Sequence, residues 1–337
     1  MNSERIHRYL IAASVFSTGN PYVDDFLGGG FNKENLVLVA AKTGTGKTFF
    51  GVQLASSAAR QNKNVHYFAL EAERFEIERR RLYYAISRCV YENYKEMKMP
   101  DYVDWLLMNS SSQWEVIEDY ARGEIELSES TLTVHYVTGV YTPDMFEVDI
   151  QDLLRSPDKP DLVIVDHLHH FFLSGDEIES LKTVIHKFKK LKEDLEIPVV
   201  ILAQLRKGDG NKGKRTLPFI EDIRGTASLS DVVTDVLIIS KVPESKADEI
   251  DRSINMPMYF HFAKSRIAGS RTTYAGIVGF DYKTGTYRQS YFLTRTSMND
   301  DPELVKRSPQ TAWAKRAEFL VTPLLNSARK DYRTLND

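Results

Sequence analysis

The segment Ala41-Lys42-Thr43-Gly44-Thr45-Gly46-Lys47-Thr48 follows an apolar run, Leu36 to Ala40, and leads into a helical pattern from about Thr48 to Arg60. A strand, a glycine-bearing turn and a helix in that order are the setting of a phosphate-binding loop. Gly44 and Gly46 let backbone N–H groups curl around phosphate oxygens, and the helix N-terminus adds partial positive charge. In this pattern Lys47 reaches the β- and γ-phosphates, and the Thr48 hydroxyl ligates Mg²⁺. ATP and Mg²⁺ are the expected cofactors. A chance glycine turn would need neither the buried strand before it nor the helix after it.

Outward from this loop, a turn at Gly28-Gly29-Gly30 precedes the first strand. Val65 to Leu70 and Leu132 to Val137 read as strands, and Leu162 to Asp166 and Val199 to Ala203 as fully buried ones. Arg74 to Tyr120 is mostly helical. Ile178 to Leu195 places Ile178, Leu181, Ile185, Phe188, Leu191 and Leu195 on one helical face. Val236 to Ser240 and Tyr259 to Ala263 continue the strand series. Strands alternating with helices predict an α/β fold with a mainly parallel central sheet and right-handed crossovers. Thr273 to Phe280 and Thr286 to Leu293, joined through Lys283-Thr284-Gly285, predict a C-terminal β-hairpin. The expected organisation is an amphipathic arm over 1–16, an ATPase core over 17–296 and a helical tail over 297–337, centred on Trp313 to Leu325.

Further candidates lie at strand ends. Asp166 closes the apolar strand Leu162 to Val165, where a carboxylate beside a phosphate loop supports Mg²⁺ through water. Glu71, after the strand Val65 to Leu70, can take the proton of a water attacking the γ-phosphate, and Glu73 competes for that role. Gln204 ends Val199 to Ala203, where an amide could report the γ-phosphate or merely cap the strand. Lys264 and Arg266 share one face of an extended segment. They either stabilise charge on a transferring phosphoryl group or form an exposed basic strand end. Between Arg206 and Arg224 lie six basic residues, Arg206, Lys207, Lys212, Lys214, Arg215 and Arg224, opposed by Asp209, Glu221 and Asp222. A basic, glycine-rich loop of this kind holds a phosphate backbone or is simply solvated.

Composition narrows the classes. Hydrophobic residues at 42% and charged residues at 27% suit a globular protein with a sizeable core. A net charge of −3 means that any nucleic-acid contact must come from a local basic patch. Cys89 is the single cysteine, which removes disulfides and thiolate zinc sites and fits a reducing cytoplasm. Residues 1–15 are too charged for a secretory signal, and no apolar run approaches spanning length, so a cytoplasmic location is expected. His167, His169 and His170 invite a metal reading, but with no cysteine or helical His-Glu pairing beside them a dedicated zinc site is not expected. Arg79-Arg80-Arg81 lies in a Glu-rich helix and reads as a salt-bridged surface.

Taken together, these motifs resemble the ATPase domain of DnaB-type hexameric replicative helicases, within the RecA-like P-loop superfamily. Thr18-Gly19 and Leu27-Gly28-Gly29-Gly30-Phe31 are similar to that family's lead-in. Ala40 to Thr48 is similar to its Ala-Ala-Arg-Pro-x-x-Gly-Lys-Thr, and Ala69-Leu70-Glu71 to its Ser-Leu-Glu, which favours Glu71 as the base. Asp166-His167-Leu168 stands in the place of Asp-Tyr-Leu, and the strand ending Ala203-Gln204-Leu205 in that of Ser-Gln-Leu, with Gln204 as sensor. Asp222-Ile223-Arg224-Gly225-Thr226 resembles the segment whose backbone grips single-stranded DNA. Ala263-Lys264-Ser265-Arg266 resembles Ala-Lys-x-Arg, whose cations reach the neighbouring subunit's nucleotide.

The resemblance covers about residues 17 to 293 and implies a RecA-like P-loop fold, ATP and Mg²⁺, single-stranded DNA as partner and a homo-oligomer, a hexamer, with shared sites. The expected function is a minimal DNA helicase or translocase of a phage, plasmid or mobile element. A KaiC- or RadA-like switch, in which ATP controls assembly without translocation, is the alternative. Because the motifs begin near Met1, the family's collar-forming N-terminal domain is expected to be absent. The segment His169 to Glu179 also lacks the basic residues expected of a first DNA-binding loop.

Overall fold

The computed structural model describes residues 15–94, 97, 99–108, 112–157, 159–171, 177–206, 217–224, 232–243, 257–266, 274–281, 286–295 and 303–305. Most of the expected N-terminal arm and the helical tail lie outside these residues. So do Lys207, Lys212, Lys214, Arg215, Gly225 and Thr226.

The chain enters through helix α1 (Pro21–Leu27), whose ends follow from its sequence. The Asn20 side chain accepts from the Tyr22 and Val23 N–H groups, Pro21 opens the first turn, and Gly28 closes the helix in the left-handed region at φ 77°. Gly30 then turns the chain at φ +133°. A Cβ there would stand 2.1 Å from the Phe16 carbonyl oxygen, so only glycine fits the close antiparallel approach of Phe16 and Phe31.

Strand β1 (Leu36–Ala41) and helix α2 (Lys47–Ala59) flank the glycine loop. There follow β2 (Val65–Ala69), α3 (Arg74–Asn93), α4 (Tyr102–Leu107), α5 (Ser112–Glu129), β3 (Leu132–Tyr136), α6 (Pro143–Arg155), β4 (Leu162–Asp166), α7 (Glu177–Leu195) and β5 (Val199–Gln204). The described chain ends with β6 (Asp235–Lys241), β7 (Pro257–Ser265), β8 (Tyr274–Asp281), β9 (Thr286–Arg295) and β10 (Glu303–Val305). One sheet holds all ten strands in the order β10-β9-β8-β7-β6-β1-β5-β4-β2-β3. From β6 to β3 every pairing is parallel; from β7 to β10 every one is antiparallel.

The apolar runs of β1, β4 and β5 are buried along their length because helices cover both faces. Alternation divides β1 between two cores. Val37, Val39 and Ala41 pack with α1 and α2, including Phe26, Phe50 and Leu54. Leu36, Leu38 and Ala40 pack with α6 and α7, including Phe146, Leu181, Ile185 and Phe188. At about 25 cal/mol per Å² of apolar surface, these two layers dominate the stability of the core. A third cluster, with Tyr83, Ile86, Cys89, Trp105 and Ile117, joins α3, α4 and α5 above the edge of the sheet.

Three features differ from the sequence reading. Helix α6 was not expected; Thr142 caps it by accepting from Met145 N–H, and Pro143 opens it. Strand β7 returns antiparallel to β6 instead of extending the parallel series. The expected C-terminal hairpin forms as β8 and β9, and β10 adds a further strand to it.

Candidate active site

The open ends of β1, β2, β4 and β5 converge on the glycine loop. Strand register makes this unavoidable: Ala41 pairs with Gln204, and Ala69 with Asp166, so the residues that end these strands meet at one edge. A cavity of about 220 Å³ lies there, lined by Gln204 together with Lys42, Thr43, Gly44, Gly46, Lys47, Thr48, Glu71 and His167. Gly44 and Gly46 adopt φ of 72° and 87°, and Gly46 caps α2, so the loop turns its backbone toward the helix N-terminus. A cavity of similar volume, lined by Arg60, Arg81, Arg88 and Glu124 among others, lies at the far end of α2, away from the phosphate loop.

Lys47 Nζ stands 3.8 Å from Asp166 Oδ1 and 3.9 Å from Glu71 Oε2. Burial lowers the pKa of this ammonium, and the two carboxylates only partly offset that effect. The cavity is therefore one in which an anion beside Lys47 would be well compensated.

Asp166 is 1% exposed. Its Oδ2 accepts from the Tyr67 hydroxyl at 2.8 Å, and its Oδ1 is buried with no hydrogen-bond partner. Burial and the neighbouring Asp166 carboxylate hold Tyr67 well above its ordinary pKa, so it remains a donor. A buried carboxylate oxygen left open at the edge of the phosphate loop, where Thr48 supplies a hydroxyl, fits a hard divalent cation, held directly or through water.

Glu71 projects beyond β2, and His167 Nε2 lies 3.2 Å from its Oε2. Burial, and then the Lys47 charge, push His167 down to about 3, so this is a contact between neutral imidazole and carboxylate. His170 Nε2 is 3.8 Å from Glu71 Oε1, and the three ligand atoms lie within 4.8 Å of one another. Two imidazoles and a carboxylate at this spacing could also take a transition metal; the sequence reading weighed His167, His169 and His170 for zinc and did not bring in Glu71. Glu73 is exposed at the N-cap of α3 and does not line the cavity.

Gln204 donates from Nε2 to the Thr43 hydroxyl in the loop. Beyond it the chain folds back: Leu205 bridges Ile223, and the Arg206 N–H donates to the Asp222 carbonyl at 2.7 Å. The described ends of the basic segment, Arg206 and Arg224, are exposed beside the end of β5.

Lys264 and Arg266 stand elsewhere. Because β7 is antiparallel, Ser265 pairs with Asp235 at the start of β6, at the opposite edge of the sheet from the loop. A six-residue strand separates the two edges by about 17 Å, more than an arginine spans. Lys264 Nζ donates to the Val233 carbonyl at 2.8 Å. Within one chain these cations do not meet the phosphate loop.

Sequence reasoning missed Glu76 and Arg80, which also line the cavity. Arg80 pairs with Glu76 and lies 4.6 Å over the Phe49 ring, while Arg81 pairs with Glu78. Arg80 and Arg81 are salt-bridged, but Arg81 is buried where a surface was expected, Arg79 bonds the Phe75 carbonyl, and Arg80 faces the site. The i, i+4 spacing of Glu76 and Arg80, one turn after Glu71, was the available signal. Tyr67 gave none, since an aromatic residue in a buried strand ordinarily reads as core.

A glycine loop between a buried strand and a helix of a parallel sheet, with a buried carboxylate ending the strand two places along, defines a RecA-like P-loop nucleotide-binding protein. Residues 16–289 match the DnaB-like helicase C terminal domain family, and the chain belongs to it. That membership implies ATP binding and hydrolysis within the DnaB/KaiC-like P-loop superfamily. The chain is 26% identical over 218 residues to the replicative DNA helicase DnaB of Geobacillus stearothermophilus, covering 61% of this chain and 42% of that one. It is 24% identical over 268 residues to DnaB of Mycoplasma genitalium, covering 75% and 52%. The chain thus spans about half the length of these relatives. The fold resembles that of a solved DnaB-like replicative helicase at a TM-score of 0.61 and 17% identity, covering 89% of this chain and 66% of that one. No helix among the described residues is long and apolar enough to cross a membrane.

Proposed function

We propose that this protein is an ATP-hydrolysing motor driven along single-stranded DNA, working as a ring of identical subunits with active sites shared between neighbours. The observation that carries this reading is the convergence of Lys47, Glu71, Asp166 and Gln204 on one glycine-loop cavity. Lys47 would exchange its carboxylate partners for the β- and γ-phosphates, releasing Glu71 to orient and deprotonate water. Thr48 and Asp166 would hold Mg²⁺, which neutralises charge developing on the phosphates. Tyr67 would keep the Asp166 carboxylate aimed, and His167 would restrain Glu71.

Lys264 and Arg266 would complete the site of the next subunit, because their own sheet edge faces away from their own loop. The γ-phosphate would then hold two subunits together only until it is cleaved. Arg206, Lys207, Lys212, Lys214, Arg215, Arg224, Gly225 and Thr226 would grip the strand. The test is ATPase rate and particle size with and without single-stranded DNA. Stimulated turnover in a ring supports the motor. Turnover and assembly indifferent to DNA would replace it with an ATP-controlled assembly switch.

A further inference from the structure

Three hydrogen bonds form a closed circuit next to the sensor strand. The Arg224 N–H donates to the Gln204 carbonyl at 3.2 Å. The Gln204 N–H donates to His169 Nδ1 at 3.3 Å. His169 Nε2 lies 3.2 Å from the Arg224 carbonyl oxygen. A backbone N–H can only donate and a carbonyl can only accept, so these partners select the neutral His169 tautomer with the proton on Nε2. Each ring nitrogen then does what its partner requires.

The position of this circuit matters. Strand β4 ends at Asp166, so at Gln204 the parallel ladder has no further β4 backbone to offer. The short 3₁₀ turn Leu168–His170 brings the His169 ring there instead. Both backbone groups of Gln204 and both of Arg224 are thereby engaged, while the Gln204 side chain holds Thr43 of the phosphate loop. A displacement of Gln204 by a γ-phosphate at Thr43 that reaches its backbone would strain or carry with it the Arg224 backbone. The strand-end bridge Leu205–Ile223 and the Arg206–Asp222 hydrogen bond add two further ties between the end of β5 and residues 222–224.

We infer that His169 is a positioning residue that couples the nucleotide state, sensed at Gln204, to the backbone at Arg224 on the edge of the basic segment. This rests on the reading of Gln204 as a γ-phosphate sensor and of Arg224 as part of the strand track. His169 touches neither nucleotide nor Mg²⁺ ligands in this role; it transmits through Gln204. Coupling between two sites is worth roughly 5- to 150-fold in their mutual effect, and this is the quantity that His169 controls.

The test compares the full chain as wild type, His169→Leu and His169→Gln. Leucine keeps the bulk and removes both hydrogen bonds. Glutamine offers an acceptor oxygen and a donor nitrogen at the spacing of the imidazole nitrogens. The first measurement is amide hydrogen exchange over residues 205–206 and 217–224, with and without a non-hydrolysable ATP analogue. Wild type should change its exchange on binding the analogue; His169→Leu should bind the analogue but lose that response, and His169→Gln should regain it. The second is stimulation of ATPase by single-stranded DNA, which should fall at least fivefold in His169→Leu with basal turnover within about twofold of wild type, and recover in His169→Gln. A thermal melt separates unfolding from uncoupling.

No response to the analogue in wild type, or an undiminished response in His169→Leu, overturns the inference. If wild type responds and His169→Leu does not, yet DNA stimulates neither, the coupling stands and the motor reading fails. If DNA stimulates wild type and His169→Leu equally, the motor reading stands and the coupling fails.

Discussion

Among single residues, Glu71 and Lys47 should fail differently. With Glu71 as the proposed base, Glu71→Gln would remove it and leave the phosphate contacts, so ATP should still bind while turnover drops roughly 10²–10⁴-fold. Lys47→Ala should weaken nucleotide binding as well, measurable by titration with a fluorescent ATP analogue. A normal rate for Glu71→Gln would sink its assignment, and Glu73 is placed too far out to replace it. Tyr67→Phe tests the aiming of Asp166. Loss of the 2.8 Å hydrogen bond to a buried carboxylate should cost about 1–3 kcal/mol of stability. It should also raise the Mg²⁺ concentration needed for half-maximal ATPase; an unchanged Mg²⁺ titration would leave Tyr67 a purely structural side chain. Lys47, Thr48, Asp166 and Glu71 were all legible in the sequence, since each follows an apolar run that must be a buried strand. Tyr67, His167 and Arg80 were not, because their roles depend on which neighbouring strand or helix turn they face.

Strand ends tune the fold as well as the site. At the edge away from the loop, Asp235 joins β6 to its neighbours, accepting from Thr234 Oγ1 at 2.7 Å and Asn35 Nδ2 at 3.2 Å. Burial raises its pKa, against hydrogen bonds from Thr234, Ser265 and Asn35 that lower it. A carboxyl whose folded pKa is raised favours folding most below its unfolded value of 3.8. That advantage is lost as pH rises through the window from 3.8 to the folded pKa. Asp235→Asn should therefore gain stability relative to wild type as pH rises above 3.8, as read by urea unfolding at a series of pH values. A difference independent of pH would mean that Asp235 titrates alike in both states. For the basic segment, Arg224→Ala should weaken single-strand binding with little sequence preference and flatten its salt slope by about 0.7. The same affinity and slope as wild type would remove Arg224 from the track.

For the whole molecule, the decisive geometry is the separation of Arg266 from its own loop. Arg266→Ala and Glu71→Gln proteins should each be inactive, yet mixing them should restore part of the ATPase. If the subunits form the proposed ring, mixed rings would contain some interfaces with an intact Glu71 on one side and an intact Arg266 on the other. Mixed rings that form but never recover activity would argue against a cation donated between subunits. Because β7 runs antiparallel to β6, no rearrangement of side chains alone brings Arg266 to Lys47 of the same chain.

Local pattern in the sequence determined the glycine loop, the buried strands β1, β4 and β5, helix α7 and the strand-end carboxylates. These follow from hydrophobic period and glycine placement, which act over a few residues and survive any tertiary context. Helix α6 starts from local signals, Thr142 and Pro143, that the sequence reading passed over; the antiparallel return of β7 and the added strand β10 belong to the tertiary structure, since pairing direction depends on what the connecting chain allows. So does the His169 circuit. Three histidines close together look alike in sequence, and only the ending of β4 beside a longer β5 decides that His167 meets Glu71 while His169 meets Gln204 and Arg224. Hydrogen-bond partners are assigned by register between distant strands, and register is a property of the folded sheet.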